Sequence, residues 1–210
     1  MGGRVLIADD HPLTREGLSL AARSALAGST VVGVGSVAEA VAEVESRNRF
    51  RMILLDFQLP DARGYSGLLA LQFRDPAVPI VVITAREDAS LVDAARALGA
   101  AGFLFKSLPL DTIAAHLRQI DEGRTSFPAG STPSSAIEAA RARINDLSPA
   151  QHGVLLALAD GHSNKQIARD LQVTEATVKA HLTSIFRNMG VTNRTQALLA
   201  IQPLIGSGTP

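Results

Sequence analysis

The chain has 210 residues, 46% of them apolar and 19% charged, and its 20 Lys/Arg are balanced by 20 Asp/Glu. That composition suits one large or two small folded domains and excludes a disordered chain. The absence of cysteine excludes disulfides and cysteine-ligated zinc, and no apolar run approaches the roughly 20 residues that a membrane span requires.

Arg4-Val5-Leu6-Ile7-Ala8 is an apolar run that ends in Asp9-Asp10. Pro12 suits the first turn of a helix, in which Leu13, Gly17, Leu18 and Ala21 repeat at helical spacing. Val31 to Val34 reads as a second short strand. Ser36 and Glu39 stand where a capping box opens a helix with Val37, Val41 and Val44 on its apolar face. Met52-Ile53-Leu54-Leu55 then runs straight into Asp56. A short continuous apolar run bounded by turn residues predicts a strand buried on both faces. A helix is predicted over about 65–73, and a fourth strand runs from Pro79 to Ile83 and ends at Thr84. An Ala-rich helix over 88–98 is closed by Gly99. A fifth strand, 102–105, ends at Lys106, and a last helix over 111–120 is stopped by Gly123.

Strict alternation of strand and helix, five times over, predicts a flavodoxin-like doubly wound parallel sheet. Right-handed crossovers favour the strand order 2-1-3-4-5. The ends of strands one, three, four and five then face one crevice and carry Asp9 and Asp10, Asp56, Thr84, and Lys106. Three neighbouring carboxylates repel one another unless a cation sits among them, and hard oxygen ligands suit Mg²⁺. A carboxylate in such a nest can accept a phosphoryl group. Singly, each residue has a simpler reading: an acid pair caps a helix, a Thr closes a turn, a Lys reaches solvent. Four strand ends in this order are hard to explain by capping alone.

At these residues a resemblance is plain. Residues 4–122 resemble a response-regulator receiver domain, through Asp9-Asp10, the run Asp56-Phe57-Gln58-Leu59-Pro60 to Gly64, Thr84-Ala85, and Gly102-Phe103 to Lys106. The resemblance implies that a sensor histidine kinase phosphorylates Asp56. It implies that Asp10 binds Mg²⁺ directly and Asp9 mainly through water, with Asp56 and the main-chain carbonyl of Gln58 completing the protein ligands. Thr84 and Phe103 become a switch pair, the hydroxyl swinging toward the phosphate and the ring turning inward. Phe103 replaces the commoner Tyr, so no phenol hydrogen bond fixes the inward state.

Residues 123–135 are small, polar and proline-rich, a linker composition, and the next ten residues can form a short helix. The expected organisation is a receiver over 1–122, a partly helical linker over 123–146, and a small all-α domain over 147–210. From Leu147 helical spacing takes over. Ser148-Pro149-Ala150-Gln151 and Ser163-Asn164-Lys165-Gln166 are capping boxes. Thr174 caps a third helix, with Val173 and Val178 placed as a hydrophobic staple, and Gly190 ends it. Asn193 and Gln196 open a fourth, carrying Ala197, Leu198 and Ile201. A short helix, a tight connection and a longer helix make a helix-turn-helix layout. On the longer helix, Val178, Leu182, Ile185, Phe186 and Met189 fall on one side. Ala176, Ala180, Thr183, Ser184 and Arg187 fall on the other, a small polar face that a helix entering a major groove needs and that an ordinary solvated face also shows.

Leu147-Ser148-Pro149, Gly161 to Ala168, Thr177 to Leu182, Gly190-Val191 and Arg194 to Ala197 resemble a LuxR-type DNA-binding domain. The whole chain is similar to NarL/FixJ response regulators. That similarity implies that Lys179, Ala180 and Thr183 read bases on a helix that also carries Arg187, and that Asn164, Lys165 and Thr177 hold phosphates. His181 joins them or packs half-buried. Ala150, Gln151 and Gly153 stand where the family usually has Arg-Glu and a further Glu, which removes the usual internal ion pairing with the Arg194 region. The charge signal for DNA is small: 5 Lys/Arg against 4 Asp/Glu over 146–210, and 13 against 15 over 1–125. Modest affinity per monomer is therefore expected, offset by a homodimer on paired half-sites when phosphorylated. The last helix, Arg194 to Ile201, is the family's pairing surface.

The reading is a cytoplasmic transcription factor, not an enzyme and not a membrane protein. Met1-Gly2-Gly3-Arg4 lacks a signal-peptide layout. A phosphatase with Asp56 as nucleophile wants a second acid two residues on, where this chain has Gln58. The alternative is a regulator with the same DNA-binding output whose receiver is controlled by a bound protein or small molecule.

Overall fold

The structure is a computed structural model that describes residues 3–46, 49–128 and 135–205. The chain divides into two compact units, Met1–Ser134 and Ser135–Pro210. The first alternates β1 (Arg4–Ala8), α1 (Pro12–Ala25), β2 (Thr30–Val34), α2 (Val37–Glu45), β3 (Phe50–Asp56), α3 (Ser66–Arg74), β4 (Ile80–Thr84), α4 (Ala89–Ala97), β5 (Gly102–Phe105) and α5 (Leu110–Asp121). All five strands are parallel, in the order β2-β1-β3-β4-β5, as the alternation predicts. The apolar runs of β1, β3 and β4 are buried on both faces. On one face Val5, Ile7, Leu54, Val81, Ile83 and Leu104 pack with α1 and α5 residues, among them Leu18, Ala22, Ile113 and Leu117. The other face is covered by α2, α3 and α4.

Local chemistry explains the helix ends. Ser36 accepts from the Glu39 amide, but the Glu39 carboxylate passes over Ser36 to the Gly35 amide at 2.8 Å. The expected reciprocal box is thus displaced by one residue. Gly99 and Gly123 end α4 and α5 at φ values of 78° and 83°, which a side chain rarely adopts. The bidentate pair between Arg51 and Asp121, 2.5 Å in both arms, ties the start of β3 to the end of α5.

The second unit is all helical: α6 (Ser135–Ile144), α7 (Pro149–Ala159), α8 (Asn164–Asp170), α9 (Glu175–Met189) and α10 (Arg194–Ile205). The helix expected inside the linker is α6, and it packs on α10 and α9. Its interior face, Ile137, Ala140 and Ile144, is buried. Residues 129–134 of the expected linker, like 206–210 at the end of the chain, lie outside the described residues. The helix expected to end at Ile201 continues to Ile205 and carries Pro203 within it. Both Ser–Gln capping boxes form as read, on α7 and α8. Asn193 caps the Gln196 amide, while the Gln196 side chain reaches the Thr192 amide.

His152 on α7 is buried, and its Nε2–H donates to the Ile144 carbonyl at 2.7 Å. Burial pulls its pKa from 6.5 down to about 4, and the carbonyl only partly opposes that. Between those values the unfolded chain binds a proton that the folded unit does not. The neutral ring's contribution is therefore complete above pH 6.5 and is lost as pH falls toward 4, by about 3 kcal/mol in all. Thermal unfolding followed by circular dichroism should show this acid loss in the second unit. His152→Gln, which keeps an N–H donor and does not titrate, should flatten it between pH 6.5 and 4.

Candidate functional site

The sheet register assembles the site. Ala8 pairs with Leu55, Asp56 with Ile83 and Thr84 with Phe105. Asp9, one residue past β1, therefore stands beside Asp56 at the end of β3, and Lys106 follows β5 on the same edge. Asp9, Asp56 and Thr84 are buried, Lys106 is half-buried and Asp10 is exposed. The Lys106 ammonium lies 2.7 Å from Asp56 Oδ2 and 2.8 Å from Asp9 Oδ2. Burial alone would lower its pKa; hydrogen bonding and attraction to Asp56 and Asp9 outweigh that and hold it above the usual lysine value. One fixed cation thus serves two buried anions, which would otherwise repel each other.

The negative charge remains in excess. Ligand atoms of Asp9, Asp10, His11 and Asp56 all lie within 4.8 Å of one another. His11 Nδ1 is 2.8 Å from Asp10 Oδ1, and the His11 amide donates to Asp9 Oδ1 at 2.8 Å. A cluster dominated by carboxylate oxygens, with two of its members exposed, fits a hard divalent cation that keeps some of its waters. His11 was missed in the sequence because Pro12 drew the reading toward a helix start. Its position directly after the acid pair was the available signal.

Of the other predicted residues, Gln58 touches the cluster, Thr84 ends β4 on the same sheet edge and Phe103 lies within β5. The exposed Gln58 lies in the turn after β3, and its amide donates to Asp56 Oδ1 at 3.1 Å. Thr84 Oγ1 accepts from the Arg86 amide at 3.1 Å, which leaves the hydroxyl hydrogen free to turn. The Phe103 ring is fully buried and meets Phe105 edge-on at 5.7 Å. Two contacts of the rim had no sequence signal, because their partners lie more than 20 residues apart. The Asp61 carboxylate accepts from the Val37 and Ala38 amides, 2.9 Å each, and so caps α2 from the loop after β3. The buried Tyr65 hydroxyl donates to the Leu91 carbonyl on α4, and burial pushes its pKa well up.

In the second unit, α8 and α9 are joined through Leu171 to Thr174, with Gln172 at φ 54°. Val178, Leu182, Ile185 and Met189 are buried on the inner side of α9, while Phe186 is half-buried. Lys179, Ala180, Thr183 and Arg187 are exposed on the outer side, and His181 is half-buried at its margin. Thr183 donates back to the Lys179 carbonyl, and the Thr177 hydroxyl shares a 2.8 Å hydrogen bond with Thr174. Asn164 and Lys165 open α8. Arg194 donates to the carbonyls of Leu158 and His162, at 3.2 and 3.0 Å, at the end of α7.

Comparison with known proteins finds a family match for each of the two units. The family described as response regulator receiver domain matches residues 5–118, and that described as bacterial regulatory proteins, luxR family, matches residues 145–201. The chain is 33% identical over 207 residues to the glycerol metabolism activator of Pseudomonas putida, covering 94% of each. It is 31% identical over 199 residues to the nitrate/nitrite response regulator protein NarL of Escherichia coli K12, covering 92% of each. RcsB of Salmonella enterica serovar Typhimurium, solved bound to a promoter with the phosphomimetic BeF3−, shares the fold at a TM-score of 0.54 and 22% identity. That match covers 97% of this chain and 99% of the other. A receiver joined to a LuxR-type helix-turn-helix defines a transcriptional response regulator, a regulator rather than an enzyme. This chain belongs to the NarL/FixJ family of response regulators. No helix among the described residues is long and apolar enough to cross a membrane.

Asp61→Ala should remove two hydrogen bonds from the first turn of α2. Loss of a helix cap costs about 1 kcal/mol, and the midpoint of urea unfolding of the receiver should fall accordingly.

Proposed function

We propose that Asp56 accepts a phosphoryl group from a sensor histidine kinase and that the adduct promotes homodimerisation and sequence-specific DNA binding. The observation that carries this reading is the buried Asp56 carboxylate, held by Lys106 against Asp9 at the edge of a carboxylate cluster. Asp56 attacks phosphorus as the bond to the kinase imidazole breaks, and an acyl phosphate forms. Asp9, Asp10, Asp56 and the Gln58 main-chain carbonyl would hold Mg²⁺. That ion would neutralise part of the charge on the transferred group. Lys106 is within reach of the new phosphoryl oxygens because it already touches Asp56 Oδ2. Thr84 can offer its free hydroxyl hydrogen, and Phe103 completes the switch pair from its buried position.

In the second unit α9 enters the major groove. Lys179, Ala180 and Thr183 face the base edges, while Asn164, Lys165, Thr177, Arg187 and His181 lie along the phosphates. Pairing through α10 places two such helices on two half-sites. One of the RcsB structures contains two dimers bound to two parallel DNAs, the arrangement in kind that this reading calls for. The extents proposed for the parts are 1–122, 123–146 and 147–210.

Acetyl phosphate with Mg²⁺ should add the mass of one phosphoryl group to the full chain, mapped to Asp56 by peptide mass spectrometry. EDTA or Asp56→Asn should abolish the gain; an unchanged wild-type mass would overturn the reading. Lys165→Ala should weaken binding to duplex DNA about equally across sequences. It should also lower the slope of log K against log salt by about 1, as loss of one phosphate contact requires.

A further inference from the structure

The chain that leaves α5 does not depart from the receiver. Gly123 turns it back in the left-handed region, with its amide on Ile120 and that of Arg124 on Gln119. Ser126 then pairs with Gly102 as a one-residue parallel addition to the outer edge of β5. Its amide donates to the Ala101 carbonyl at 3.0 Å, and its carbonyl accepts the Phe103 amide at 2.9 Å. Ser126 is buried, and its hydroxyl shares a 2.7 Å hydrogen bond with His116 Nδ1 on α5. One residue further, the Phe127 ring lies 4.2 Å beneath the guanidinium of Arg96 in the last turn of α4. The segment therefore straps α5, β5 and α4 together. Gly102 admits it by having no side chain: a Cβ there would meet the Ser126 carbonyl oxygen at 2.9 Å and Ile120 at 2.7 Å.

Two features of the strap bear on regulation. It holds the main chain of Phe103, a fully buried residue of β5 three positions before Lys106 of the carboxylate cluster. It also grips α4, whose Leu91 carbonyl accepts from Tyr65, a residue of the segment that follows Asp56. Any rearrangement at the carboxylate cluster that moves β5 or α4 acts on the strap directly. The strap also sets how much chain is left between the units. From Phe127 to Ser135 a fully extended chain spans about 27 Å; from the end of α5 it spans about 48 Å.

We propose that the Ser126–Phe127 strap is a phosphorylation-released clasp, docked while Asp56 is free and let go when it is modified, so that the reach of the DNA-binding unit increases. The proposal rests on the reading of Asp56 as phosphoacceptor. Release removes protection from the Phe103 and Ser126 amides and opens the Arg124–Thr125 bond to trypsin, while β1 and β3 stay closed.

The test is hydrogen exchange and limited trypsinolysis of the full chain, with and without acetyl phosphate and Mg²⁺, the adduct on Asp56 being quantified in the same samples. With the adduct present, exchange at Phe103 and Ser126 and cleavage after Arg124 should rise at least about tenfold, with the Leu6 and Leu54 amides unchanged. Phe127→Ala should produce the same rise without phosphodonor, and Phe127→Tyr, which keeps a ring under Arg96, should behave as wild type. An adduct without the rise, or a Phe127→Ala chain as protected as wild type, overturns the clasp and leaves phosphorylation standing. A missing adduct overturns the phosphoacceptor reading itself, and with it release by phosphate.

Discussion

One ammonium group between two buried carboxylates is the constraint around which the receiver is arranged. Asp9 and Asp56 come from neighbouring strands whose apolar bodies are sealed on both faces, so neither acid can retreat to water. Lys106 reaches both from the end of a third strand. Taking one partner from such a set would strand charge in a low-dielectric setting, a loss far larger than the worth of an exposed pair. The all-parallel sheet sets these three strand ends on one edge, and the order β2-β1-β3-β4-β5 makes β1 and β3 neighbours there. The residual negative charge of the cluster then suits a divalent cation.

The second unit rests on a different economy of contacts. Helices α7 to α10 begin with side-chain caps, two of them reciprocal, so that the orphan amides of short helices are satisfied locally. Where the usual acid is absent, Arg194 still has a task, since the carbonyls at the end of α7 accept its guanidinium. The fold thus keeps α10 fastened to α7 with a charge-to-carbonyl contact in place of an ion pair.

Much of this was legible from residue order. Apolar runs ending in Asp9, Asp56, Thr84 and Lys106 identify strands and their polar ends at once, because burial on both faces leaves no other reading for the runs. The helix stops at Gly99, Gly123 and Gly190 were equally plain, since each backbone does enter the left-handed region. What could not be read was contact between distant segments. Asp61 looks like a turn residue until α2 is brought to it. His152 looks like a surface residue of a helix until Ile144 is placed against its ring. Composition misled at Ser126 and Phe127: small and polar neighbours spell a tether, yet one residue fits a sheet edge and the next an arginine face. The short helix before Leu147 was visible, but its allegiance to the second unit depends on packing with α10.

The Asp61 carboxylate makes the rim of the crevice lopsided. On the α2 side, the loop that follows Asp56 is pinned to main-chain amides of the adjoining helix. On the α4 side it is joined through the Tyr65 phenol, whose ring meets Phe57 of the same loop at a tilt. The two walls of the crevice are therefore fastened unequally, by paired main-chain amides toward α2 and by one side-chain hydroxyl toward α4.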